Sequence, residues 1–62
     1  MTTVLTTTIG GFDYMVEYSE SNAKTFFVSY KAQNEWVCER CFGTLRKCKN
    51  FLNQLAKLNG EA

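Results

Sequence analysis

Three cysteines, Cys38, Cys41 and Cys48, lie in one stretch of the chain, "WVCERCFGTLRKC". Cysteine thiolates serve as nucleophiles, redox partners and metal ligands, so this is where chemistry would concentrate. A structural zinc ion takes four ligands, usually Cys and His from two paired knuckles. The chain has three cysteines and no histidine, so a fourth ligand has to be a carboxylate or come from a second chain. The second Cys-x-x-Cys of the usual pattern is missing. On a regular strand, Cys38 and Cys41 stand three apart and point to opposite faces, out of reach of one ion. A redox pair needs its first cysteine exposed at a helix N-terminus, whereas Cys38 precedes the helical pattern. The expectation is therefore hydrophobic: Cys38 and Cys48 as small core residues, Cys41 partly exposed, and no metal or cofactor. A disulfide formed on oxidation would be incidental.

Catalytic sets are otherwise thin. Without histidine the commonest general base is missing. Asp13 and Glu17 share a strand face but stand four residues apart on an extended chain. No phosphate-binding glycine loop occurs. The chain reads as a non-enzyme.

The elements that position these residues follow from periodicity. "TTVLTTTI" is rich in β-branched residues and predicts a strand over residues 2–9. Gly10-Gly11 predicts a tight hairpin turn, because glycine reaches positive φ without steric cost. "FDYMVEYSE" alternates, with Phe12, Tyr14, Val16 and Tyr18 on one face and Asp13, Met15 and Glu17 on the other. "SESNAK" reads as a polar loop. "TFFVSYK" gives a third strand, and "AQN" a turn. "EWVCERCF" gives a fourth, alternating Trp36, Cys38, Arg40 and Phe42 against Glu35, Val37, Glu39 and Cys41. The period then changes. Leu45, Cys48, Phe51, Leu52, Leu55 and Ala56 recur at threes and fours, the stripe of an amphipathic helix, with Thr44 as N-cap and Gly60 as stop. The pattern predicts one α+β domain over residues 1–62, a four-stranded antiparallel meander with a C-terminal helix on one face (ββββα).

A chain of 62 residues buries only about 60% of its unfolded surface and is marginal without help. Nine aromatic residues compensate, but one helix on one sheet face cannot bury them all. The uncovered face is expected to expose Met15, Phe27 and Val37, or else Trp36 and Tyr30. An exposed apolar patch marks a contact site. Tyr14, Tyr18, Tyr30 and Trp36 are the candidate anchors, since Tyr and Trp are enriched at binding hot spots. Asp13, Glu17, Glu20 and Glu35 are candidate mimics of nucleic-acid phosphates toward a basic groove. Homodimerisation through a strand edge or the spare face would also bury apolar area.

The net charge is +1, unevenly placed, with acids prevailing before Cys38 and Arg40, Arg46, Lys47, Lys49 and Lys57 after it. A dedicated nucleic-acid binder is usually more basic. Gly43, Thr44 and Leu45 with the following helix resemble the strand-to-helix junction of small three-stranded DNA-binding modules, such as the arm-binding domains of some phage integrases. That resemblance implies a sheet that reads the major groove, whereas Lys24, Lys31 and Arg40 here stand among several acids. Arg40, Arg46, Lys47, Lys49 and Lys57 are the candidate nucleic-acid residues of this alternative. No charged and apolar leader opens the chain, no run approaches a membrane span, and an odd cysteine count argues against a disulfide framework. The expectation is a cytoplasmic protein-contact module whose partner is a host protein or complex. Small inhibitors from phage or mobile elements that sterically block a host machine, anti-CRISPR proteins among them, are of this kind.

Overall fold

The computed structural model describes residues 1–21 and 25–60. Two tight turns shape it. Gly10 and Gly11 both take positive φ, 58° and 81°, the mirror-image turn that matches strand twist. They join β1 (Thr2–Ile9) to β2 (Phe12–Ser19). Gln33 and Asn34, with φ of 52° and 67°, make the same turn without glycine between β3 (Thr25–Ala32) and β4 (Glu35–Phe42). Asparagine tolerates this region, but Gln33 holds it at a steric cost. Of the expected polar loop between β2 and β3, residues 22–24 lie outside the described residues, and so does Glu61.

The sheet is the expected meander, order β1-β2-β3-β4, antiparallel throughout. The helix α1 (Leu45–Leu58) follows. Its N-cap is Thr44, whose Oγ1 accepts from the Lys47 backbone N–H at 3.2 Å. At the other end Asn59 N–H donates to Leu55 O and Ala56 O, and Gly60, at φ 73°, donates to Lys57 O. The ββββα architecture read from periodicity is thus what the chain adopts.

The core is small. Ile9, Val16 and Val28 from the sheet meet Cys48 and Leu52 of the helix. Half-buried Leu5, Tyr14, Phe26, Phe42, Leu45, Phe51, Leu55 and Ala56 pack around them. Full burial of each large side chain stabilises the fold by about 1.5–3 kcal/mol. Cys48 is core as expected, and burial pushes its thiol pKa up.

Strand β4 departs from simple alternation. Ser29 pairs with Cys38, but the next residue of β3, Val28, pairs with Arg40. Glu39 is the extra residue of a β-bulge. A one-residue insertion moves everything on one side of it to the other face. Arg40 and Phe42 therefore share the helix side with Val28 and Phe26, while Cys38 and Trp36 share the uncovered side with Ser29 and Lys31. Cys41, paired with Phe27, is on the uncovered side too. This corrects two expectations. Cys38 and Cys41 point to the same face, and Cys38 is exposed rather than core. The bulge also sorts the spare apolar residues anew: Met15, Phe27 and Trp36 lie on the uncovered face, whereas Val37 and Tyr30 lie on the helix side. Strand β1 carries a second bulge at Val4, so both edge strands are interrupted.

Candidate protein-contact surface

The helix crosses its sheet face on a diagonal. It starts just after Phe42 at one end of β4, and its far end brings Asn59 against Gly10 at the β1–β2 turn. A Cβ built on Gly10 would stand 2.7 Å from Asn59 Oδ1. A diagonal helix leaves two corners of the face bare. In one, Tyr18 packs on Phe26 with ring centroids 4.8 Å apart. The other corner carries the larger aromatic group. Tyr14 and Tyr30 are direct cross-strand partners, centroids 6.1 Å apart. Phe12 meets Tyr30 edge-on at 6.2 Å and 89°. Val37 sits opposite Tyr30 on β4. Cross-strand aromatic and β-branched pairs of this kind hold the sheet locally, yet Phe12 remains 50% exposed and Val37 40% exposed.

The surroundings of this corner are acidic. Burial, then the neighbouring Glu39 carboxylate, then Tyr30, push the Tyr14 hydroxyl above its ordinary pKa. Glu35 is exposed at the start of β4. On the reverse side of the same end, Trp36 is 44% exposed, and the Lys31 ammonium lies 5.9 Å from its ring centroid. Trp36 lines a shallow hollow with Thr6, Thr8 and Asp13.

The expected contact residues therefore separate. Tyr14 and Tyr30 form one patch, Trp36 lies behind it, and Tyr18 sits in the far corner. The acids do not form a row. Asp13 accepts a hydrogen bond from Thr8 Oγ1 at 3.1 Å. Glu17 is half-buried on the uncovered face between Thr3 and Phe27. Glu20 follows β2, and Glu35 lies on the helix side opposite Ala32. Phe12 and Glu39 are not among the sequence candidates, and Val37, expected on the uncovered face, stands exposed on the helix side instead. Phe12 was legible as a strand residue facing with Tyr14, but nothing in the sequence set the angle of the helix that leaves it bare. Val37 and Glu39 depend on the bulge.

The basic residues separate as well. Arg46, Lys47, Lys49 and Lys57 are exposed on the helix. Arg40 lies on the helix side, its guanidinium 5.5 Å from the Phe51 ring centroid, and with Lys47, Asn50 and Gln54 it lines a groove beside β4. The first helical turn carries Arg46 and Lys47 and no acid, and only Lys57 stands at the end where a cation complements the helix dipole. Among the described residues no group of three or more metal-ligating side chains converges, and no helix is long and apolar enough to cross a membrane. No family model, no curated protein and no solved structure matches the chain.

Proposed function

We propose that the chain is a non-enzymatic protein-binding module whose contact surface is the Phe12–Tyr14–Tyr30–Val37 corner. The observation that carries this reading is the exposure of Phe12 and Val37 beside the half-buried cross-strand pair Tyr14 and Tyr30. Tyrosine rings, apolar with one polar tip, bury well against a protein partner, and Phe12 and Val37 add apolar area beside them. The acids at its margin, Glu35 and Glu39, favour a partner whose apolar site is rimmed by Lys or Arg. The mode of action is steric: the rigid sheet corner covers a functional surface of the partner, as a phage or mobile-element inhibitor of a host machine would.

A second reading rests on the Arg40–Lys47–Phe51 groove and the basic first turn of the helix, which would serve nucleic-acid phosphates. Capture from host lysate, with and without nuclease, separates the two. The contact reading expects a discrete protein retained after nuclease by the wild type and lost by a Phe12→Ser, Val37→Ser variant that still melts cooperatively. A duplex affinity that falls steeply with salt, unaffected by that variant and lost in Lys47→Glu, would replace it with the nucleic-acid reading.

A further inference from the structure

The bulge at Glu39 gives Cys38 and Cys41 a geometry that a regular strand would deny them. Both thiols are free and exposed on the uncovered face of β4, an edge strand. Their pairing partners on β3, Ser29 and Phe27, are two residues apart, which sets the spacing along the strand at about 6.7 Å. The Cys38 thiol already leans the right way, since its Sγ lies 3.8 Å from the Arg40 carbonyl oxygen, the next backbone group before Cys41. With staggered rotamers each sulfur moves part of the way toward the other. A disulfide needs Cβ atoms about 3.8 Å apart, roughly half the strand spacing, so it would distort β4. Two thiolates on one zinc ion, with Zn–S bonds of about 2.3 Å, fit the wider spacing.

A structural zinc ion needs four ligands, and this face offers two. Cys48 is sealed in the core on the other side of the sheet, and no third metal ligand converges among the described residues. We infer that Cys38 and Cys41 form half of a tetrathiolate zinc site that a second copy of this chain completes. Antiparallel pairing of two β4 edges about a two-fold axis between residues 39 and 40 supplies the other half. It sets Cys38 against Cys41 of the second copy on the uncovered face. The same register sets Glu39 against Arg40 of the second copy on the helix side, so the charges match where the thiols meet. A bulge in an edge strand opposes strand pairing by itself, so the ion, and not the edge, holds the dimer. On binding, four S–H bonds give way to four Zn–S bonds and the protons leave to solvent, so affinity falls as pH falls.

The reduced full chain is titrated with Zn2+, and with Co2+ as a coloured probe, while mass is followed by sedimentation. The expected result is one ion per two chains, a tetrahedral thiolate spectrum with Co2+, and a doubling of mass that chelator reverses. Cys38→Ser and Cys41→Ser each abolish ion binding and dimerisation. Cys48→Ala retains both. Deleting Glu39 leaves Cys38 opposite Ser29 and Cys41 opposite Phe27, two residues apart on one face of a regular strand, and retains ion binding. Circular dichroism and a cooperative melt confirm that each variant is folded. The inference is overturned by no ion retained at micromolar zinc, by one ion per monomer, by binding that survives Cys38→Ser, or by a dimer that persists in chelator. None of these outcomes touches the aromatic corner, which contains no cysteine.

Discussion

The two faces of the sheet are built from the same four strands and have opposite fates. On the helix side Val16 and Val28 are fully buried, and Cys48 and Leu52 close over them. On the other side Trp36, Cys38 and Cys41 stand open beside threonines, Asp13 and Lys31. The cysteines make the contrast plain. Cys48 behaves as a small hydrophobe whose thiol is harder to ionise because it is buried. Cys38 and Cys41 have solvent access and a common direction. The side chain is the same, and what differs is whether the helix lies over it and on which side of one inserted residue it falls. In a domain this small, one helix covers one sheet face, and apolar side chains on the other stay open.

Mutations should break along this division. Leu52→Ala removes a side chain from the centre of the covered face and is expected to cost about 2–5 kcal/mol. Phe27→Ala on the uncovered face should cost clearly less, and urea melts of the two compare them directly. Equal losses would mean that the faces are not unequal. Next in size, Cys48→Ser puts a hydroxyl into the apolar core and should cost about 1–3 kcal/mol, while Cys38→Ser in chelator should stay within about 0.5 kcal/mol, as surface changes do.

The reasons why some of this was legible in the sequence are local ones. Strand and helix periods, the Gly10-Gly11 turn and the Thr44 cap are set by neighbours in sequence, and they read true. The position of Cys48 on the helix stripe read true for the same reason. The bulge at Glu39 did not, because "WVCERCF" alternates as well with an inserted residue as without one. What decides is the register with β3, where Val28 needs Phe42's side of the sheet to be continuous with Arg40. The reversed fate of Cys38 and the reassignment of Val37 both follow from that one residue. The aromatic corner was half legible. Tyr14 and Tyr30 could be placed on one face, but the bare corner is a product of the helix's diagonal path, which depends on packing between distant residues.

Smaller effects sharpen the comparison within the covered side. Thr44→Ala removes the bond to Lys47 N–H and should lower stability by about 1 kcal/mol in a thermal or urea melt. Thr44→Ser should restore most of it. The smallest expected effect is on titration. Tyr14 has a raised pKa in the folded chain, from burial first and the Glu39 carboxylate next. The folded state therefore holds the phenol proton longer than the unfolded state. This favours folding below the unfolded tyrosine value near 10, and the benefit is lost as pH rises through the folded value. Ultraviolet titration should show one tyrosine ionising late, and Glu39→Gln should bring it down. Tyr14→Phe should remove the late phase.

The account turns on which residues the helix and the bulge leave available, and the cysteines report on both. The direct measurement is timed alkylation of the native, reduced chain in chelator, with each site quantified by mass spectrometry. Cys38 and Cys41 should be modified in the native state, and Cys48 only as fast as the molecule unfolds. Rapid modification of Cys48, or protection of Cys38 while Cys41 reacts, would contradict the arrangement of faces on which everything above depends.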